Sequence, residues 1–235
     1  MATPAVTEFF DQSPSGFYDE KNKKLAPIID NLHFLTHLVL KNLPANARIL
    51  CVGVGTGAEI IGLARLNPGW TFDGIEPSQT MIQDCQTRLE KEGLTSRCNL
   101  FKGYLNEFKS NLSYDAVLCF LVLHFVKDVQ ERINMFRDMG THLAPGGYLV
   151  NAEISYDMDS PQFSEILSKW MEVQVLMGAQ KESLDKLPEL LRTNLLVVSP
   201  EKTQNFMEQA GFPRPILFFQ NILIHAWFAR KRSDP

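Results

Sequence analysis

The chain alternates between short apolar runs and segments in which apolar residues recur at helical spacing. Ile49 to Val52, Trp70 to Ile75, Ser96 to Phe101, Tyr114 to Phe120 and Tyr148 to Ala152 are runs of strand length, rich in β-branched and aromatic side chains. Between the first two, Ile60, Ile61, Leu63, Ala64 and Leu66 mark the apolar side of a helix over 58–66. After Ser78, a capping residue, Met81, Ile82, Cys85 and Leu89 repeat at helical steps up to Gly93. Val129, Ile133, Phe136, Met139 and Leu143 are spaced 4, 3, 3 and 4, which predicts a helix over 128–143. Ala144-Pro145-Gly146-Gly147 then reads as a tight turn. Strands that are almost continuously apolar, separated by helices, predict a parallel sheet covered on both faces. Leu121 to Val126 fits either a continued strand or a short helical turn.

The two ends depart from this alternation. Residues 1–17 carry Pro4, Pro14 and Gly16 and read as an arm or loop; Phe9, Phe10, Phe17 and Tyr18 predict that it packs on the rest. From about Tyr18 to Lys41 the spacing is helical, with a break or start at Pro27. Residues 1–44 are therefore expected to form an N-terminal arm and helix, and 45–235 the main domain. From Ser160-Pro161, Phe163, Ile166, Leu167, Trp170, Met171 and Val175 follow helical spacing to about Gly178. A second short helix at about 184–195, interrupted near Pro188, completes a predicted helical cap at about 160–197. Ser199-Pro200 opens one more helix, closed by Gly211, and 216–220 with 222–230 read as a hairpin at the sheet edge.

The chemistry concentrates after the first strand. Gly53, Gly55 and Gly57 follow it at alternate positions and lead into a helix. Such a turn sits at the carboxyl end of a parallel strand, lets a ligand approach the backbone, and presents the unpaired N–H groups of a helix start. Glu76 lies 19 residues after Gly57, at the tip of the next strand. A carboxylate there accepts hydrogen bonds from both ribose hydroxyls of a nucleoside. Two cofactor classes use this arrangement. Gly53-x-Gly55-x-x-Ala58 fits the dinucleotide pattern, and Gly53-x-Gly55-x-Gly57 fits S-adenosylmethionine. The third strand ends in Lys102-Gly103-Tyr104-Leu105-Asn106-Glu107, where an adenine is commonly met.

Composition narrows the partners. The chain has 235 residues, 45% apolar and 21% charged, with a net charge of −4. This is ordinary for a soluble globular protein and argues against broad binding to nucleic acid or anionic membranes, with a local basic patch left open. The longest apolar run, Ala116 to Val126, has 11 residues and is too short to span a bilayer. No signal peptide is evident. Cys51, Cys85, Cys98 and Cys119 show no metal-ligand spacing and read as reduced thiols of a cytoplasmic protein. His33 and His37 share a helix face, but no third ligand accompanies them, so no metal is expected.

With these motifs in order, the chain resembles the class I S-adenosylmethionine-dependent methyltransferases. The resemblance is carried by Ile49-Leu50-Cys51-Val52-Gly53-Val54-Gly55-Thr56-Gly57, Gly74-Ile75-Glu76-Pro77-Ser78, Tyr114-Asp115-Ala116-Val117-Leu118-Cys119 and Leu143-Ala144-Pro145-Gly146-Gly147-Tyr148-Leu149. It covers residues 45–152 and, more weakly, the terminal hairpin. It implies an α/β fold: a Rossmann-like seven-stranded sheet, parallel except for one strand of the hairpin, with the N-terminal helical arm and the helical cap added. It implies that Gly53, Gly55, Thr56 and Gly57 line the methionine end and ribose of the cofactor. Glu76 would hold the ribose hydroxyls, beside Pro77 and Met81. Gly103, Tyr104 and Leu105 would border the adenine, and Phe120 and Leu121 would flank the cofactor at the fourth strand. Many members carry an acid where this chain has Cys51 and an Asp where it has Tyr104. The second departure leaves the adenine amino group to another side chain, such as Asn106, or to water.

Within that class the layout is similar to that of the carboxy-S-adenosylmethionine synthases of wobble-uridine modification, which share the aromatic arm, the long helical segment after the fifth strand and an ending like Ala210-Gly211-Phe212. That subgroup holds its added carboxylate with a cap arginine. The corresponding place falls near Leu187 and Pro188, with Arg192 some residues later, so the relation is one of architecture.

The implied activity is methyl transfer from S-adenosylmethionine, with S-adenosylhomocysteine as product, to a small or medium-sized acceptor. Nucleic acid remains open as an acceptor, no membrane is involved, and the arm and cap are surfaces a homodimer would use. Where a general base is used, His124 and Tyr18 are the candidates; Glu153 and Tyr156 follow the fifth strand and could face the acceptor. A non-catalytic S-adenosylmethionine-binding regulatory protein and a nicotinamide-dependent oxidoreductase are the competing readings.

Overall fold

The computed structural model describes residues 4–12, 25–180 and 184–232. Five parallel strands form its centre: β1 (Arg48–Val52), β2 (Thr71–Glu76), β3 (Cys98–Lys102), β4 (Tyr114–Phe120) and β5 (Leu143–Ile154). The hairpin of β6 (Ile216–Asn221) and β7 (Ile224–Arg230) completes a seven-stranded sheet of order β3-β2-β1-β4-β5-β7-β6. Only β7 runs against the rest, antiparallel to both β5 and β6. The helices among the described residues are α1 (Pro4–Asp11), α2 (Ala26–Leu40), α3 (Ala58–Leu66), α4 (Gln79–Lys91), α5 (Val129–His142), α6 (Phe163–Leu176), α7 (Leu187–Asn194) and α8 (Pro200–Gln209).

The central strands are apolar at nearly every position because both sheet faces are covered. In β1, Leu50 and Val52 enter the core under α5 and α8, while Ile49 and Cys51 enter the core under α3 and α4. β4 divides the same way, with Val117 and Cys119 on one face and Ala116 and Leu118 on the other. This is the period-2 alternation of a strand with no solvent side. A third cluster joins α6 and α7 to α2 and the hairpin through Leu32, Phe163, Trp170, Leu191, Phe219 and Ile224. The sequence order of the strands reverses at β1, which pairs with both β2 and β4. A crevice therefore opens at the carboxyl ends of β1 and β4, where open α/β sheets bind ligands.

Several expectations are corrected in detail. The segment expected to be an arm or loop contains a helix, α1. Ala144-Pro145-Gly146-Gly147 is not a free turn. It lies inside a 12-residue β5, where an irregular register between Tyr114 and Ala116 of β4 absorbs the extra residues. Val129 is exposed, because Asp128 caps α5 through Glu131 N–H and Val129 falls in the first turn on the solvent side. Ser160 does not cap α6; its hydroxyl donates to Asp157 O, and the helix begins at Phe163. Pro188 opens α7 instead of interrupting it, since its missing N–H falls in the first turn. Leu121 to Val126 resolves as a 3-10 turn over Leu123–Phe125.

Candidate functional site

The turn after β1 is held by backbone geometry. Gly53 and Val54 both donate to Ile75 O, at 2.8 and 3.0 Å, which pins the turn to the end of β2. Gly53 has φ +71°, and a Cβ there would stand 2.3 Å from Val122 Cγ2. Only glycine fits between the turn and the chain leaving β4. Gly55 also has a positive φ, +52°, but a Cβ there would meet nothing within 4 Å. Gly53 thus closes against protein, and Gly55 faces open space where a ligand can approach. Thr56 is buried, and its carbonyl and hydroxyl accept from Arg88 of α4 at 3.1 and 2.8 Å. Gly57 is the N-cap of α3 and faces Cys85 of α4.

Glu76 ends β2 and is 7% exposed. One carboxylate oxygen accepts from Gly55 N–H at 3.0 Å and the other from Ser78 N–H at 2.9 Å. Burial raises its pKa, and these two N–H donors oppose that rise. Each oxygen keeps a second lone pair for a ligand hydroxyl. Behind the turn, Glu59 in the first turn of α3 is buried; desolvation pushes its carboxyl up to about 8, with the Glu76 charge adding to the effect. Cys51, in the strand position where many class members carry an acid, is fully buried and its pKa is raised, chiefly by desolvation.

A cavity of about 210 Å³ opens at the ends of β1 and β2; Glu76 and Gly55 are not among the residues that line it. Of the residues assigned to the cofactor from the sequence, Gly53, Pro77, Gly103, Tyr104 and Leu105 line it and Gly55, Thr56, Gly57, Glu76, Met81, Phe120 and Leu121 do not; Val52, Ile75, Asn106 and Val122 line it as well. Glu131, Asn134, Met135 and Asp138 of α5 form its other wall and were not anticipated. Their i, i+3, i+4, i+7 spacing is the one signal in the sequence that places them on a common helix face. The Tyr104 N–H donates to Glu107 Oε2 at 2.7 Å, and its hydroxyl lies 3.0 Å from Thr7 Oγ1 of α1. Met81 is buried in the core, where its N–H is capped by Ser78 Oγ.

Phe120 and Leu121 stand half-buried at the end of β4. Phe120 stacks on His33, with centroids 6.2 Å apart and planes 15° from parallel. His37 turns elsewhere, its Nδ1 lying 3.1 Å from Asn67 Nδ2. Leu121 has φ +60°, a strained conformation for a branched side chain. His124 is buried and does not line the cavity. Its Nδ1 accepts from Ile154 N–H at 3.3 Å, and desolvation followed by the Arg132 charge lowers its pKa to about 3. Its geometry is that of a neutral core imidazole. Tyr18 lies outside the described residues. Glu153 is fully buried, in an ion pair with Arg132 and accepting from Thr203 Oγ1 at 2.6 Å, so it faces the core and not an acceptor. Arg192 of the cap is engaged with Met158 O at 2.9 Å and Asp159 at 3.4 Å.

Comparison with known proteins extends this geometry. A family profile described as a methyltransferase domain matches residues 50–149. Carboxy-S-adenosyl-L-methionine synthase of Campylobacter jejuni is 23% identical over 206 residues, 87% of this chain and 86% of that protein. The structure of magnesium protoporphyrin IX methyltransferase from Synechocystis, with bound SAH, matches with a TM-score of 0.64 at 14% identity, over 97% of this chain and 98% of that one. An O-methyltransferase family protein from Burkholderia thailandensis matches with a TM-score of 0.62 at 16% identity, over 90% of this chain. This chain spans 59% of the length of that larger protein. Among the described residues, no helix is long and apolar enough to cross a membrane.

Proposed function

We propose that this chain, a class I S-adenosylmethionine-dependent methyltransferase by its domain and its fold, transfers a methyl group from S-adenosylmethionine to a small-molecule acceptor and releases S-adenosylhomocysteine. The observation that carries the reading is the Glu76 carboxylate, tied to the Gly55 N–H at the mouth of the glycine turn, with its chain neighbours Ile75 and Pro77 lining a cavity closed by Gly103, Tyr104 and Leu105.

The residues present fit the cofactor. Glu76 would hold the ribose hydroxyls, the open side of Gly55 would admit the chain beyond the ribose, and Leu105 and Met135 would enclose the adenine. The Tyr104 amide is taken by Glu107 Oε2 and the Glu107 amide by Tyr104 O, so the base edge falls to the Leu105 and Asn106 end of the 3-10 turn and to the Asn106 side chain. When bound, S-adenosylmethionine supplies a methyl group already activated by its sulfonium. The work of the chain is to bind, orient and exclude water. With His124 held in the core, transfer proceeds by alignment of the acceptor at Phe120 and Leu121, without a histidine base. Half-buried Tyr156, Met158 and Met171 pack against the same apolar cluster as these two residues, which favours an acceptor with an apolar body. The free thiols support a cytoplasmic location.

The similarity over matched lengths to carboxy-S-adenosyl-L-methionine synthase favours a second reading, in which the bound species is a carboxylated derivative. Native mass spectrometry of the purified protein, followed by calorimetric titration with S-adenosylmethionine and S-adenosylhomocysteine, tests both. A co-purified nucleoside or low-micromolar affinity is the expected result. A bound mass heavier by one carboxyl group selects the second reading. Binding of a nicotinamide cofactor and neither of these ligands overturns both.

A further inference from the structure

We propose that Asp11 of the N-terminal helix is a positioning residue for the ribose-binding carboxylate Glu76, so that α1 belongs to the cofactor site. The inference rests on the assignment of Glu76 to the ribose. It is carried by an unbroken series of hydrogen bonds. Asp11 Oδ1 accepts from Ser78 Oγ at 2.7 Å and from Thr80 N–H at 3.3 Å. The Asp11 carbonyl accepts from Thr80 Oγ1 at 3.1 Å. The hydroxyl of Ser78, its proton directed to Asp11, uses a lone pair to cap Met81 N–H at 3.2 Å. With both roles filled, the Ser78 backbone is held with its own N–H on Glu76 Oε1, while the Gly55 N–H holds Oε2. Asp11 thus reaches the glycine turn through Ser78 and Glu76.

The same short helix touches two other edges of the site. Thr7 Oγ1 meets the Tyr104 hydroxyl at 3.0 Å, at the adenine border, and the Phe10 ring packs edge-on against Phe125 beyond β4, with centroids 6.1 Å apart. An isolated helix of eight residues is unstable in water, so α1 owes its order to these contacts. They fall on the chain leaving β2, β3 and β4, beside the crevice at the carboxyl ends of β1 and β4. An anionic acceptor is also suited to its place: Asp11 lies at the N-terminus of α4, where the helix dipole and unpaired N–H groups favour negative charge.

The test separates positioning from simple cover. Calorimetric affinities for S-adenosylhomocysteine and its 2′,3′-dideoxy counterpart are measured on the full-length protein and on Asp11→Ala and Asp11→Asn. Asp11→Ala is expected to weaken S-adenosylhomocysteine about tenfold and the dideoxy ligand less than about twofold, as for loss of a charged hydrogen bond felt only through the hydroxyls. Asp11→Asn, whose amide oxygen still accepts from Ser78 and Thr80, is expected to stay within about threefold of the wild type. The ratio of the two affinities is insensitive to any loss of folded protein. Equal weakening of both ligands by Asp11→Ala, or no weakening of either, overturns the inference and leaves α1 as cover alone. If the wild type binds both ligands equally well, Glu76 does not read the ribose. If it binds neither, the cofactor assignment fails, and the inference with it.

Discussion

The Glu76 carboxylate and the Gly55 amide are joined by a 3.0 Å hydrogen bond that spans 21 residues of sequence and links the ends of β2 and β1. It makes the acid part of the glycine turn. Replacing Glu76 by Ala removes the acceptor for the ligand hydroxyls and for the amides of Gly55 and Ser78. Cofactor affinity is expected to fall by about 1–3 kcal/mol, which is up to roughly a hundredfold. Calorimetry with S-adenosylhomocysteine reads this directly, and unchanged affinity would remove Glu76 from the site.

Gly53 and Gly55 should respond differently to the same substitution. Gly53→Ala places a methyl 2.3 Å from Val122, so the turn or the strand end must move; a stability loss of about 2–4 kcal/mol is expected in urea unfolding. Gly55→Ala meets no protein atom within 4 Å and carries only the strain of its positive φ, about 1–2 kcal/mol. Its methyl instead enters the ligand space, so cofactor affinity should fall at least about tenfold in a protein that remains folded. A Gly55→Ala protein that binds as tightly as wild type would place the ligand elsewhere.

The contrast between these two glycines was not visible in the sequence, although the turn was. Apolar periodicity reports where a chain contacts its own core. It therefore delivered α3 at 58–66 and the acid at the tip of β2. It is silent on which side of a turn is empty. α1 was missed because an eight-residue helix with Thr7 and two phenylalanines has little helical preference of its own, and its order comes from Asp11, Thr7 and Phe10 meeting residues about seventy to over a hundred positions away. The cavity wall on α5 was missed because Glu131, Asn134 and Asp138 look like a solvated face until β3 and its following turn stand opposite.

Two buried histidines predict acid sensitivity. Burial lowers the pKa of His33 to about 4 and that of His124 to about 3, from an ordinary 6.5. Below pH 6.5 the unfolded chain binds protons that the folded chain refuses, so stability is lost as pH falls toward 4 and then 3. Each histidine contributes a slope of about 1.4 kcal/mol per pH unit in that window and nothing above about pH 7.5. Urea unfolding of the wild type and of His33→Phe between pH 7.5 and 5 should show a shallower slope for the variant. Parallel slopes would mean that His33 is protonated in the folded protein.

Glu59 acts in the opposite direction. Its folded pKa of about 8 lies above the ordinary 4.5, so the folded chain holds a proton that the unfolded chain releases. Stability from this group is full below pH 4.5 and is lost as pH rises through 8. Glu59→Gln keeps the shape and a neutral side chain throughout. It should raise the melting temperature by roughly 10 °C at pH 8 and change it little at pH 4.5. An equal shift at both pH values would show that Glu59 is ionised in the fold.

The ion pair of Arg132 and Glu153 has no exposed side-chain surface on either partner. Thr203 of α8 donates to the same carboxylate at 2.6 Å, and Arg132 donates to Leu196 O at 2.9 Å, so α5, β5, α8 and the chain leaving the cap meet at one pair of charges. Arg132 also lies over the Phe206 ring at 5.7 Å. Removing one partner strands the other charge in the core. Arg132→Met should therefore cost about 3–5 kcal/mol, because Glu153 loses its counter-ion and water cannot replace it. The double variant Arg132→Met/Glu153→Leu removes both charges and should recover most of that loss, since apolar groups of similar volume often replace a buried pair at little net cost. Guanidinium unfolding of the two variants decides the matter. A double variant as unstable as Arg132→Met alone would show that the packing of these side chains, and not their charges, holds α5 against β5.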